Sequence, residues 1–565
     1  MIESSRFLFW LDFWFVPRAI AIFLVGFFSG SLAMAIAQDP AVSIHFEDVS
    51  EQSGIQFVHS DGGTGKHFIV ETVCSGIATF DYDGDGLLDI YFLSGSYPKP
   101  LSDSKPQRNR LYKNLGDLQF KDVTDEAGVG DLGHGLGVAV ADYDNDGAPD
   151  IYVSNFGPNV FYRNNGDGTF SRVGNAPAAN LDRVRVGAGV AFLDADSDGD
   201  LDLYVGNYIK FTYEKEVSRL ILGIPAAPGP KDYDPDEDQF FRNNGDGTFT
   251  DLSIESGIAA HAGPSMGLIC VDYDQDGDTD VFVCNDSAAN FLWNNDGTGK
   301  FTEMGQLAGV AYDYAGLRQA NMGVDGADYD LDGWIDLVST NFQDEIPAIY
   351  RNSTGQFFDE IGASLGLGVA TRNVTWGVVF ADFDRDRYPD LFMASGHLID
   401  AVEKLDSSIQ FATKNHLLRN LGGKKFLDIS SRAGNGMQVE KVSRAAACED
   451  LDLDGDLDII VLNLNSTPTL LRNDTISTDH WIQLNLIGTS ASRDAIGARV
   501  TIQTKYGAQV QEVVSGRGYQ SHYGHSLYFG VGDATLVERI EVKWLGGKTA
   551  IYGPFTVDSA QTLVE

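Results

Sequence analysis

The sequence predicts an all-β protein: a seven-bladed β-propeller closed by an N-terminal strand, with a small C-terminal β domain. Three observations carry this expectation. An aspartate-rich loop recurs seven times, starting at Asp81, Asp142, Asp194, Asp272, Asp328, Asp382 and Asp450. Short strand-like segments recur around each loop. One outer strand, missing from the end of the last repeat, has its counterpart ahead of the first. A repeat of this length with four short strands is the signature of a propeller blade.

The first strand of each repeat is the apolar stretch before the loop: GIATF, GVAVA, GVAFL, GLICV, GVDGA, GVVFA and AAACE. The second follows the loop: DIYFLS, DIYVSN, DLYVGN, DVFVCN, DLVSTN, DLFMAS and DIIVLN. Their β-branched and aromatic content and their shortness favour strand over helix. The third is RLYKN, VFYRN, FFRNN, FLWNN, AIYRN, LLRN and LLRND, often running into an Asn-Gly-Asp-Gly hairpin turn. The fourth is led by Phe120, Phe170, Phe249, Phe301, Phe357 and Phe426, six copies for seven loops. The seventh copy, FEDVS, begins at Phe46. That strand is expected to complete the last blade and leave no open sheet edge.

Each loop reads D-x-D-x-D-G-x-x-D, apart from one glycine. The carboxylates are Asp81, Asp83, Asp85 and Asp89; Asp142, Asp144, Asp146 and Asp150; Asp194, Asp196, Asp198 and Asp202; Asp272, Asp274, Asp276 and Asp280; Asp328, Asp330, Asp332 and Asp336; Asp382, Asp384, Asp386 and Asp390; Asp450, Asp452, Asp454 and Asp458. Carboxylates at positions 1, 3 and 5 converge only if the chain curls round a centre, and glycine at position 6 permits the turn. Position 7 varies freely, so its carbonyl would be the ligand, and position 9 would complete an all-oxygen shell suited to Ca²⁺. An EF-hand would need Glu at position 12. Here that position is Phe92, Val153, Val205, Val283, Ser339, Met393 and Val461. Up to seven Ca²⁺ ions are expected. The loop at Asp382 is the weakest, because Arg387 replaces its glycine, Arg385 lies beside it, and an arginine could stand in for the ion.

The chain has 565 residues and a net charge of −41, which argues against nucleic-acid binding. Arg6 and Arg18 precede an apolar run from Ala19 to Phe28, and Ala35-Ile36-Ala37 offers a cleavage site before Gln38. Residues 1–37 therefore read as a signal peptide, with an uncleaved membrane anchor as the alternative. The propeller is expected over 43–475 and the C-terminal domain over 480–562. Cys270 and Cys284 flank one loop and either pair or stay as buried thiols; Cys74 and Cys448 complete the four cysteines.

The loops resemble the FG-GAP-like (VCBS) repeats of integrin-type propellers. The opening FEDVSEQSGIQFVHSDGG resembles cartilage acidic protein-like bacterial proteins. Residues 480–558 resemble the ASPIC/UnbV domain through Ser492 to Ala498, Gly516-Arg517-Gly518-Tyr519, Phe529-Gly530-Val531-Gly532 and Trp544. The resemblance implies an exported calcium-binding protein of adhesive or matrix character and no agreed activity. The FG-GAP tetrapeptide itself is absent, so integrin-like partner binding does not carry over. Arg493, Arg517 and Tyr519 read as turn stabilisers, a ligand site being the other reading.

No catalytic constellation stands out. Gly263-Pro264-Ser265-Met266-Gly267 fits G-x-S-x-G but precedes a strand, where a nucleophile elbow must follow one. Gly65-Lys66 is followed by His67, which spoils a P-loop. His59, His67 and His134 lie near blade entries and suit structural contacts. Two insertions, residues 208–238 between blades three and four and 396–414 within blade six, are expected binding segments. The functional expectation is a secreted, periplasmic or cell-surface binding and adhesion module for a protein or polysaccharide. A calcium-dependent polysaccharide lyase or hydrolase and a structural envelope component are the alternatives.

Overall fold

The computed structural model describes residues 44–96, 107–174, 184–215, 217, 219–524 and 526–565. The segment read as a signal peptide lies outside them. The described residues form one compact unit.

Seven antiparallel sheets, each built on a four-strand path, follow one another along the chain. The innermost strands are Ile77–Phe80, His134–Ala141, Gly187–Leu193, Ser265–Val271, Val324–Ala327, Thr375–Ala381 and Ser443–Glu449. Each touches the next, and the last touches the first, so the sheets form a ring. Blades are numbered here by these strands, and each loop takes its blade's number. The N-terminal strand Phe46–Asp48 pairs antiparallel with Thr469–Asn473, Phe46 opposite Asn473, and supplies the outer strand of blade 7.

The ring is tight at its axis, and this is why the inner strands of blades 1 to 6 carry a glycine at or near their start. A Cβ on Gly267 would fall 2.6 Å from the Met322 carbonyl oxygen of the next blade, and one on Gly189 2.7 Å from that of Met266. Small residues at this position let neighbouring backbones approach.

A second device joins the blades, and it rests on the asparagine ending each third strand. Asn164 Nδ2 donates to the Tyr82 carbonyl in loop 1 at 2.9 Å, and Asn243 to Tyr143 in loop 2 at 2.9 Å. Asn295, Asn352, Asn420 and Asn473 repeat the contact to Ala195, Tyr273, Tyr329 and Phe383. Asn114 closes the circle onto Leu451 of loop 7 at 2.8 Å. Nothing in the local periodicity distinguishes this asparagine from a hairpin residue. Asn243→Ala strips the donor from two buried carbonyls, Tyr143 and Leu201. It is expected to cost about 1–3 kcal/mol, read from denaturant unfolding.

The insertion at 208–238 belongs inside blade 3, between strands Asp202–Asn207 and Gln239–Asn243, and not between blades three and four as the sequence suggested. It joins paired strands, so it leaves at the end opposite the aspartate loops. The insertion at 396–414 joins the same two strands of blade 6 and leaves at the same end. All four cysteines are free and buried.

The C-terminal domain holds two main sheets. One is Leu527–Gly532, His480–Ile487 and Ser559–Val564; the other is Gly507–Glu512, Arg499–Thr504, Arg539–Lys543 and Thr549–Tyr552. Ile482, Ile496, Val500, Phe529, Ile540 and Trp544 fill its core, which is continuous with Phe161, Phe192 and Leu203 of blades 2 and 3.

Residues 515–524 of this domain leave its body and run through the axis of the ring. They meet every inner strand. His522 exchanges backbone bonds with Ile77 and Thr79, Val138 N–H donates to Gln520, and Phe192 N–H donates to Ser515 Oγ. Cys270 N–H donates to the Ser515 carbonyl, and Gly518 pairs with Val324 in both directions at 2.7 and 2.8 Å. Tyr523 OH donates to Val378, and Gly524 N–H to Glu449 at 2.6 Å. The ring has a plug, and the plug is its own C-terminal domain.

Candidate metal centres

The seven loops join the first and second strands of their blades, so antiparallel pairing puts them all at one end of the ring. They share one backbone path. Position 4 has positive φ in each: Gly84 75°, Asn145 56°, Ser197 58°, Gln275 60°, Leu331 60°, Arg385 66° and Leu453 61°. Position 6 does too, from 86° at Arg387 to 100° at Gly277. Loop 6 keeps the curl without its glycine. The left-handed position 4, held even by leucine, left no mark in the sequence pattern.

Position 1 shapes the curl. Asp142 accepts from the Asp146 and Gly147 amides at 2.9 and 2.7 Å, and Asp194, Asp328, Asp382 and Asp450 accept from the matching amides. Asp81 does the same in loop 1. Position 5 accepts from the position 7 amide, as Asp85 does from Leu87. In loops 1 to 5, positions 1, 3 and 5 bring one carboxylate oxygen each within 4.8 Å of one another.

Position 9 is fully buried and tied to the backbone. Asp150 accepts the Asn164 and Tyr143 amides at 2.7 and 3.3 Å, and Asp89, Asp202, Asp280, Asp390 and Asp458 repeat the pattern. Asp336 keeps the first of these bonds, from Asn352. The structure thus gathers positions 1, 3 and 5 round a common centre and sets position 9 behind them as a strand anchor.

Two observations test whether a cation fits. The Oδ1 atoms of Asp83, Asp144, Asp196, Asp330, Asp384 and Asp452, all at position 3, are buried without a hydrogen-bond partner. A buried carboxylate oxygen left bare is costly unless something positive faces it. Burial also pushes the carboxyls up: Asp142, Asp194, Asp328 and Asp450 to about 7, and Asp89 and Asp150 to about 8. These groups resist ionisation until a cation is near. Hard oxygen ligands in a curled loop suit Ca²⁺, and the donor set fits it.

The structure corrects one expectation. The arginine on the loop 6 carboxylates is Arg419 of the third strand, 2.6 Å from Asp384 and 3.2 Å from Asp386. Arg385 pairs instead with Asp456 of loop 7, and Arg387 lies over the Tyr506 ring of the C-terminal domain at 4.9 Å. The left-handed turns at positions 4 and 6 carry these side chains out of the curl. Basic groups at this place are not peculiar to loop 6. Lys113 pairs with Asp83 and Asp85, Arg163 with Asp144 and Asp146, and Arg351 with Asp330 and Asp332.

The C-terminal domain sits on this same end. Asp494 accepts the Asp142 amide at 2.7 Å, Arg493 N–H donates to Asn145, and Glu512 accepts the Asp272 amide at 3.2 Å. Arg499 donates to Gly333 of loop 5 at 2.5 Å, Gly532 N–H to Arg385 of loop 6, and Tyr528 to Gly455 of loop 7. Arg493 is therefore an interdomain group, Arg517 is another through its bond to Asp325 of blade 5 at 2.9 Å, and Tyr519 OH donates to Val73 in the channel at 3.0 Å.

The candidate catalytic residues are spent on structure. Ser265 opens the inner strand of blade 4 and donates to Asp238 at 2.9 Å. His134 is bound by the Ser96 and Val70 carbonyls at 3.1 and 3.0 Å, and buried His59 contacts Cys74 at 3.5 Å. His67 is half-buried at a left-handed turn. No helix among the described residues is long and apolar enough to cross a membrane.

Fold and loops together define a closed β-propeller with repeated acidic loops on one end and an all-β domain docked over them. The FG-GAP-like repeat family matches residues 81–153, 142–205, 232–283, 272–339 and 328–393, and the ASPIC and UnbV family matches 488–565. The chain belongs to the FG-GAP-repeat proteins that carry a C-terminal ASPIC and UnbV domain. It is homologous to cartilage acidic protein 1: the mouse (Mus musculus) protein is 24% identical over 498 residues, 84% of this chain and 70% of the relative. The human (Homo sapiens) protein is 24% identical over 499 residues, covering 84% and 69%. Among solved structures, the BP39L lectin from Burkholderia pseudomallei aligns with a TM-score of 0.42 and 10% identity over 70% of this chain and 95% of that one.

Proposed function

We propose that this chain is an exported, calcium-stabilised propeller that acts as an extracellular binding and adhesion module for a protein or polysaccharide. Ca²⁺ would be held by the position 1, 3 and 5 aspartates, with position 9 behind them, and loop 6 would bind most weakly. The observation that carries the reading is the set of bare, buried position 3 oxygens in every loop but the fourth, where the bare oxygen is instead Asp272 Oδ1 at position 1.

The loop end is covered by the chain's own domain, so the ions serve the scaffold and a partner meets the other end. That end carries both insertions. The hairpin Arg219–Ile221 and Ile224–Ala226 in the first of them exposes Leu220 and Leu222. Ser265, His59 and His134 are each committed to structural contacts.

A glycan array and an extracellular protein panel, each run with calcium and with chelator, test the proposal. Saturable binding that weakens on chelation is the expected result. Polysaccharide turnover, or the absence of any ligand in either panel, would count against it.

A further inference from the structure

We propose that loop 4 is the tightest cation site of the seven, because it alone lacks both a third-strand cation paired to its carboxylates and a partner for the Oδ1 of its first carboxylate, whose Oδ2 accepts the Gly277 amide at 3.1 Å. This rests on the reading of the loops as calcium sites and ranks them. The ligand class is a divalent hard cation.

Two observations separate loop 4 from the others, and a third, which loop 2 shares through Asp494, steadies it. First, Asp272 is 7% exposed, and its Oδ1 is buried with no hydrogen-bond partner. In the other loops the position 5 amide occupies that oxygen. Here the Asp276 amide turns to Asp274 at 3.3 Å, leaving Asp272 Oδ1 bare. Second, the third-strand residue before the blade-joining asparagine, Asn295, is Asn294, where loops 1, 2, 5 and 6 have Lys113, Arg163, Arg351 and Arg419 ion-paired to positions 3 and 5. Asn294 only donates to Asp274 and Asp280, at 3.2 and 3.4 Å. An ion entering loops 1, 2, 5 or 6 must displace a fixed positive charge; an ion entering loop 4 meets an amide.

Third, the C-terminal domain braces loop 4 from behind. Glu512 accepts the Asp272 amide and is itself paired with Arg499, so it fixes the backbone of Asp272 without acting as a ligand. Asp278 at position 7 adds a carboxylate. Lys543 of the C-terminal domain lies beside Gly277, where its charge reaches Asp272 and Asp278 and offsets part of theirs. Loop 3 is the nearest rival, since Arg242 makes no ion pair with its carboxylates; but the position 5 amide of Asp198 fills Asp194 Oδ1 at 3.1 Å.

Calcium titration calorimetry on the full chain, stripped with chelator, tests the ranking. Asn294→Lys installs the charge found in loop 1, and the tightest class should weaken at least tenfold while the remaining classes hold. Arg351→Asn is the converse, and loop 5 should tighten by a similar factor. Both substitutions lie on a blade surface and leave the position 1 to 9 aspartates intact. If Asn294→Lys leaves the tightest class unchanged in a chain that still binds calcium, the ranking is overturned and the calcium reading stands. If the wild-type chain takes up no calcium, the calcium reading itself falls.

Discussion

Chelation lowers the melting temperature of this protein by about 5–10 °C: that is the expected result of a scan with and without excess EGTA. Extracellular calcium sites commonly have Kd near 10⁻⁴ to 10⁻³ M, and at millimolar calcium a site at the tight end contributes about 1.4 kcal/mol. Five to seven such sites contribute about 7–10 kcal/mol. With an unfolding entropy of about 2.1 cal/mol/K per residue, a unit of this length shifts by about 1 °C per kcal/mol. A coincident pair of melting curves would remove the ions from the scaffold.

The size of the gap depends on pH. Without an ion, burial holds the folded carboxyls of Asp142, Asp194, Asp328 and Asp450 at about 7, and those of Asp89 and Asp150 at about 8. The ordinary value for this side chain is 3.8. The native state then binds more protons than the unfolded chain, so ion-free stability is fullest below about pH 4 and falls as pH rises through 7 to 8. Bound cations replace those protons. The calcium-minus-EGTA difference in midpoint should therefore widen from pH 6 to pH 8.5; a constant difference would mean that these carboxyls do not titrate in the ion-free fold.

The second large effect is expected at Arg517. Its guanidinium reaches Asp325 at 2.9 Å inside the ring, where the Asp325 side chain is fully enclosed, and it stacks 4.9 Å from the Tyr523 ring centre. Asp325 also accepts the Phe380 amide at 2.8 Å, so the pair ties blades 5 and 6 to the plug. Arg517→Ala leaves a buried carboxylate without its counter-charge, at a cost of about 3–5 kcal/mol. The double variant Arg517→Met with Asp325→Asn removes both charges and should recover most of that loss. Hydrogen exchange over residues 515–524 locates the effect: faster exchange in the single variant, near wild-type rates in the double. Equal exchange in all three would place Arg517 outside the docking energetics.

What the sequence revealed followed from local repetition. Alternating strands, the aspartate spacing and the displaced copy at Phe46 each announce themselves within a few residues, and the sheets and the Phe46–Asn473 pairing follow from them. The features that escaped depend on residues far apart in the chain. Arg517 and Tyr519 looked like turn residues because their partners, Asp325 and Val73, lie 192 and 446 positions away. The latch asparagines sit in an ordinary hairpin context, and only the neighbouring blade reveals their second bond. The Lys and Arg before them carry no signal in the strand pattern, and only the folded blade shows that four of them face the loop carboxylates.

The pairing of the first strand with the last blade also has a temporal side. Glu47 finds Arg472 as its neighbour, so some four hundred residues must be made before that partnership can exist. At about 5–20 residues per second, the opening segment waits on the order of tens of seconds at the ribosome. Through that interval the early blades have formed neighbours on one flank only, and the circle locks at the moment the final repeat emerges. A chain shortened ahead of Thr469 would keep its first six sheets yet never meet its own beginning, leaving exposed edges at both ends of an open arc.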